Sequence, residues 1–221
     1  MRKSIKPDIS IRDCFLVLVC CLPLSSCWEK DQVDYGLDQY YVEIATVLSK
    51  AEFLLDNGKK IIAETPSGNN IQTDDRVLLN YTLLPETTAG YDQTIRINGL
   101  AKLPVLELIS TTQKNIDALP EEPVYLESLW IGSHYLNLKL AIDHNSIPHT
   151  LNLLTDSIGL KNNIVWIYLK HDKNNDSQGY QSPLLLSVDL KKILGEPKNK
   201  KTLLVHINAG NYKDQVYNLK Y

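Results

Sequence analysis

The sequence predicts an all-β protein: a small OB-like barrel followed by an antiparallel β-sandwich, behind a cleaved leader. Three observations predict it. From residue 40 onward apolar and polar residues alternate over short runs, the period of strands with one buried face. Tyr is frequent, with 12 copies against 2 of Phe, and Thr, Val and Ile are abundant, a set that suits half-exposed strands. Turn-forming residues separate the runs, and no stretch has a convincing helical period.

Residues 1–26 read as a leader. Arg2, Lys3, Lys6 and Arg12 form a basic region, Phe15 onward is apolar, and Leu24-Ser25-Ser26 precede Cys27. A transmembrane helix needs about 20 apolar residues, and this run is shorter. A cysteine at the cleavage point makes the segment resemble a bacterial lipoprotein signal, with Cys27 as the residue lipidated by a thioether. Residues 27–38 are polar and acidic and read as a tether. Glu29 and Asp31 beside the cysteine resemble an export signal to the outer face of the outer membrane.

Residues 39–103 carry five expected strands in about 60 residues. They are Tyr40–Ser49, two arms of a hairpin over 53–62, Asp75–Leu84 and Tyr91–Asn98. Asn57-Gly58 predicts a type I′ turn in the hairpin. Five short strands without a helix read as an OB-like barrel. Residues 104–123 contain Thr111, Thr112, Asn115, Pro120 and Pro123 and read as a linker with a helical turn near Lys114–Leu119. Residues 124–221 carry seven expected strands: 124–131, 135–143, 149–155, 163–171, 184–190, 202–208 and 215–221. Leu136, Leu138, Leu140 and Ile142 alternate on one face of the second. Short connections imply antiparallel pairing in a sandwich. Lys191–Lys201, with five lysines, reads as a solvated loop.

Charge and cysteines narrow the chemistry. The chain has a formal charge of −3, and the leader holds four of its 23 basic and two of its 26 acidic residues, so the remainder sits at −5. That argues against nucleic acid, whose binding rests on phosphate neutralisation. All four cysteines, at 14, 20, 21 and 27, lie in or at the end of the leader. The remainder therefore has neither a disulfide nor a thiol nucleophile beyond Cys27.

The ordered residues resemble the NigD-like lipoprotein family. Tyr41-Val42-Glu43-Ile44-Ala45-Thr46-Val47, Arg76–Leu84 and Ile95-Arg96-Ile97-Asn98 look like its first domain. Ser128-Leu129-Trp130-Ile131-Gly132, Tyr135-Leu136-Asn137, Pro148-His149, Lys170-His171 and Tyr217–Tyr221 look like its second. The resemblance implies an N-terminal OB-like domain, a C-terminal β-sandwich and envelope anchoring. It also implies a link to bacteriocin immunity, through the operon that gives the family its name.

Several constellations bear weighing. Asp143-His144 with His149 offers zinc donors, but Asn145, Ser146 and Pro148 between them read as a turn. His149 and His171 stand at the start and end of different strands and can meet in a sheet, where local hydrogen bonds and packing are expected. Asp172, Asn174 and Asp176 alternate like the first half of a calcium loop, yet Ser177 stands where Gly is needed and Pro183 where the closing Glu is needed. No metal or cofactor is expected.

No nucleophile elbow or phosphate-cradling glycine loop is present. Ser133-His134 are neighbours that point to opposite faces. Glu121-Glu122 and Asp74-Asp75 read as loop charges. Tyr40, Tyr41, Tyr81, Tyr91, Tyr125, Tyr135, Tyr180 and Tyr217 form either a binding face or the rims of two sheets. Asp156-Ser157-Ile158 resembles a short O-glycosylation sequon. The expected function is a non-enzymatic, lipid-anchored outer-membrane protein that binds an envelope protein or glycan. The alternatives are an immunity lipoprotein and an envelope glycan hydrolase.

Overall fold

The computed structural model describes residues 39–68, 70–198, 200–210 and 212–221, without the side chains of 212–214. The leader, Cys27 and the tether lie outside the described residues. Asp38–Tyr221 form one compact unit.

Strands β1 (Tyr40–Val47), β2 (Glu52–Leu55), β3 (Lys60–Ala63), β4 (Arg76–Leu83) and β5 (Gln93–Lys102) close into a barrel in the order β1-β2-β3-β5-β4. All pairings are antiparallel except β3 with β5. The alternation puts Ala45, Val47, Phe53, Leu55, Ile61, Val77, Leu79, Tyr81 and Ile95 inside. The hairpin stands where Asn57-Gly58 places it, but not with the expected turn. Gly58 alone takes positive φ, at 87°. A type I′ turn needs both central residues there. The loop is four residues long instead: Asn57 Oδ1 accepts from the Lys59 N–H at 3.0 Å, and the Leu55 N–H donates to the Lys59 carbonyl at 2.9 Å. This longer loop presents the Asp56 side chain beside the barrel.

The second domain is a sandwich built from β6 (Val105–Thr111), β7 (Tyr125–Gly132), β8 (Tyr135–His144), β9 (Thr150–Asp156), β10 (Ile164–Asp172), β11 (Tyr180–Asp189), β12 (Thr202–Ala209) and β13 (Tyr212–Lys220). Their hydrogen-bonded order is β13-β12-β10-β9-β6-β11-β8-β7. Leu136, Leu138, Leu140 and Ile142 pack as expected against Leu153, Val165, Ile167, Leu203 and Val205.

Three expectations change here. The stretch read as a linker carries β6 and a short helix, Gln113–Asp117, capped by Thr112. The pairing is also mixed, not purely antiparallel: β6 with β9, β6 with β11, and β10 with β12 are parallel. For the first two pairings the cause is β6 itself. Its first half, from Val105 to Glu107, pairs with β11, and its second, from Leu108 to Thr111, pairs with β9. It thus belongs to both halves of the sheet. The Lys191–Lys201 stretch also contains a short helix, Lys191–Leu194.

The barrel and sandwich meet around Arg76, which is fully buried. Its Nη2 donates to Asp56 Oδ2 at 2.9 Å and to Asn137 Oδ1 at 3.1 Å, and its Nη1 donates to Thr46 Oγ1 at 3.0 Å. The guanidinium stacks 4.2 Å from the Tyr135 ring centroid. Asn137 Nδ2 donates to Asp56 at 2.8 Å, and the Ser187 hydroxyl donates to Asn137 at 2.7 Å. Tyr135 and Asn137 stand on the β8 face opposite its leucines, so the start of β8 is buried on both sides.

Candidate functional site

In β10 the inward residues Val165, Ile167, Leu169 and His171 leave Ile164, Trp166, Tyr168 and Lys170 pointing outward. Register aligns three rows across β10, β12 and β13: Ile164–Thr202–Lys220, Trp166–Leu204–Asn218 and Tyr168–His206–Val216. Paired residues in a sheet share a face. An outward face of alternating strands is ordinarily polar. This one exposes Ile164 at 51 %, Trp166 at 40 % and Val216 at 46 %. Trp166 and Tyr168 lie 6.2 Å apart with planes 19° apart. The Tyr168 ring is 5.7 Å from His206. Burial pushes the Tyr168 hydroxyl above its ordinary pKa, opposed by a hydrogen bond with Gln113.

The face ends where the segment before β7 crosses it. Glu121 lies 2.6 Å from Lys170 Nζ and 3.0 Å from His206 Nδ1. Asn208 Nδ2 donates to the Glu121 carbonyl at 2.7 Å, fixing the crossing. A stacked aromatic pair flanked by aliphatic side chains and bounded by the Lys170–Glu121 ion pair has the make-up of a protein-binding surface: apolar centre, polar rim.

A second cluster closes one end of the sandwich around a cavity of about 210 Å³. His149 Nδ1 and His171 Nε2 stand 2.9 Å apart, and His149 Nε2 is 3.2 Å from Asp176 Oδ2. His171 Nδ1 faces the carbonyls of Pro123 at 3.2 Å and Glu122 at 3.3 Å. Burial lowers the His171 pKa, although its contact with the Pro123 carbonyl works the other way. Burial raises the Asp176 carboxyl, but the N–H groups of Asn145, Ser146 and Ile147 and the His149 ring more than offset this, holding it well below the usual carboxylate range.

The histidines therefore do meet, at hydrogen-bonding distance from each other. Asp172 and Asn174 form hydrogen bonds of their own. Asp172 Oδ1 accepts from the Asn174 N–H at 2.7 Å, and Asn174 Nδ2 donates to the Pro148 carbonyl at 2.7 Å. Among the described residues no three His, Cys, Asp or Glu side chains are arranged to hold a metal. Asp143 and His144 run into the Asn145–Pro148 turn, as expected.

The tyrosines do not form one face. Tyr81 and Tyr135 are buried, whereas Tyr40 and Tyr180 are exposed at 67 % and 66 %. Ser157 is exposed in a turn, with Asp156 Oδ1 accepting from the Ile158 N–H at 3.3 Å. Trp166 and Tyr168 were missed as site residues. The sequence signal was there: aromatic residues at i and i+2 on the strand face opposite Val165 and Ile167.

Solved structures share this architecture. One is a protein of unknown function from Bacteroides vulgatus, with a TM-score of 0.71 and 23 % identity, covering 83 % of this chain and 91 % of that one. A NigD-like immunity protein from Bacteroides caccae matches with a TM-score of 0.56 and 24 % identity over 85 % and 98 % of the two chains. A candidate lipoprotein from Bacteroides fragilis matches with a TM-score of 0.62 and 11 % identity over 83 % and 98 %. At these identities the likeness concerns the fold. No curated protein matches the chain.

Two family models match in sequence. The NigD-like N-terminal OB domain covers residues 42–103, and the NigD-like C-terminal beta sandwich domain covers 107–221, more than half of the chain. On this evidence of sequence and architecture together, the chain belongs to the NigD-like family.

Proposed function

We propose that this chain is a lipid-anchored envelope protein, not an enzyme, and that its sandwich binds a protein partner through the Trp166–Tyr168 face. The observation that carries the reading is the stacked pair, with Trp166 exposed beside Ile164 and Val216 on a face that solvent alone would leave polar. The aliphatic flank favours protein over sugar, whose hydroxyls need donors and acceptors around the ring. The net charge of −5 beyond the leader favours a basic partner. Likeness to a NigD-like immunity protein supports a toxin as that partner, and likeness to a candidate lipoprotein supports the anchor on Cys27.

The test has two parts. Full-length protein and the Trp166→Asp variant are used as bait on envelope extracts and on candidate toxins, and captured proteins are purified and titrated. A protein that binds the wild type and loses at least tenfold in affinity for the variant supports the reading. Equal binding by both, or loss only on glycan arrays, overturns it. For the anchor, Cys27→Ala is followed by cell fractionation: release from the membrane is expected, and unchanged retention overturns attachment at that residue.

A further inference from the structure

The Asp176–His149–His171 chain contains more hydrogen-bonding positions than two neutral imidazoles have protons to fill. At one end His171 Nδ1 faces two backbone carbonyls, which only accept, so this nitrogen carries a proton. At the other end His149 Nε2 faces Asp176 Oδ2, which already accepts from the Asn145 N–H at 2.7 Å. Held by these N–H groups, the carboxylate stays ionised and accepts, so Nε2 carries a proton as well. Between the rings, a 2.9 Å separation needs one proton between two nitrogens. That makes three ring protons, where two neutral rings have two.

We infer that His149 and His171 share one extra proton, balanced by the Asp176 carboxylate, and that this end of the sandwich is a pH-sensitive latch. The setting gives the proton count structural weight. The side chains of His149 and Asp176 are 2 % and 1 % exposed, and His171 is 3 % exposed. At such low exposure a lost contact is costly.

When the extra proton leaves, one of the three contacts becomes two acceptors face to face. The Asp176 end keeps its proton because it faces a full negative charge. The break falls at His171, at the His149 ring or at the Glu122–Pro123 segment. That segment is otherwise tied to β10 by the Glu122 N–H donating to the His171 carbonyl at 2.9 Å. Loosening it opens the cavity and disturbs neighbouring Glu121, which bounds the Trp166–Tyr168 face.

Other charged groups act on the latch. Asp143, Glu122 and Lys173 line the cavity. The His144 ring lies 5.4 Å from His149 and in turn meets Tyr180. The sign follows from proton counting within the cluster: the closed arrangement holds three ring protons where a neutral pair holds two, so the latch is closed on the acid side and opens as pH rises through the histidine range of about 5 to 8, burial of His171 favouring the release.

Long-range ¹H–¹⁵N NMR of the ¹⁵N-histidine-labelled full chain tests this between about pH 5 and 8.5. On the acid side, both His149 nitrogens are expected to carry protons while His171 is the Nδ1–H tautomer. One proton should leave the pair as pH rises, with amide shifts at 121–124 moving in step. His144→Gln should leave this titration in place, and Asp176→Asn should abolish the extra proton. Two Nε2–H neutral rings throughout, or a titration that disappears with His144, overturns the latch. So does loss of the His149 and His171 signals to equimolar zinc, which would make the pair a metal site.

Discussion

Arg76 and Asp56 pair where the barrel meets the sandwich, with Nη2 2.8 Å from Oδ1 and the arginine side chain fully buried. The salt bridge lies within the barrel, between β4 and the β2–β3 loop, while Asn137 and Ser187 of the sandwich complete the polar shell around it. Removing one member of a buried pair leaves the other charge uncompensated, at a cost of about 3–5 kcal/mol. Arg76→Met is therefore expected to lower the denaturation midpoint by that order, and Asp56→Asn to do the same. A change below about 1 kcal/mol in both, measured in urea, would contradict the role assigned to the pair.

Gly179→Ala probes the turn that holds Asp176. A Cβ there would meet the His144 carbonyl oxygen at 2.1 Å, and backbone cannot rotate aside as a side chain can. Overpacking of this kind costs about 1–3 kcal/mol. Circular dichroism on thermal unfolding should register the loss, and the Asn145 and Ser146 amide resonances should shift with it.

Asp176 sets a feature of the acid limb. Its carboxyl pKa is lowered in the fold, so its contribution to stability is fully present above the unfolded pKa of about 3.9 and disappears as pH falls through the folded value. Wild-type stability should fall between about pH 4 and 2 more steeply than that of Asp176→Asn. Urea midpoints measured across this range give the comparison, and parallel curves would remove Asp176 from the acid response.

Tyr221 docks into the sandwich core at 2 % exposure, and its hydroxyl donates to the Gly195 carbonyl at 2.5 Å. Burial, helped by Glu196 and Asp189, pushes its pKa up to about 12. Tyr221→Phe keeps the packing and loses the hydrogen bond, at about 1 kcal/mol. Tyr221→Ala loses both, at about 3–5 kcal/mol. The order of the two in chemical denaturation is the check.

Trp166→Ala should change stability little, because the ring is 40 % exposed and lies outside the core. Loss of the stacking with Tyr168 costs about 0.5–1.5 kcal/mol, well below a core truncation. The same substitution should reduce partner binding, which separates a docking residue from a structural one.

The strands were legible because alternation is local: Leu136 to Ile142 announce their face without reference to the rest of the chain. β6 was not, since Val105-Leu106-Glu107-Leu108-Ile109 lacks a clean alternation and sits between prolines and threonines. Its divided pairing also leaves no period to read. Arg76 falls inside an expected strand, and nothing local marks it as buried. Its partners Asn137 and Ser187 are 61 and 111 residues away, beyond the reach of any pattern. His149 and His171 were visible as residues able to meet, whereas Asp176 entered the reading only as part of a calcium-like spacing. Its actual partners, Asn145 and Ser146, are backbone groups that no side-chain motif announces. The Trp166–Tyr168 face has no motif of its own, because one aromatic pair in a strand stands out little in a chain with 12 tyrosines.

Only Leu103 and Pro104 separate the barrel's last strand from β6. Because β6 serves both halves of the sheet, the sandwich has no complete copy that starts at residue 124. The two domains therefore cannot be exchanged as independent cassettes at that point. A recombination breakpoint that preserves the second domain has to fall at or before Pro104, against a seam already occupied by Arg76.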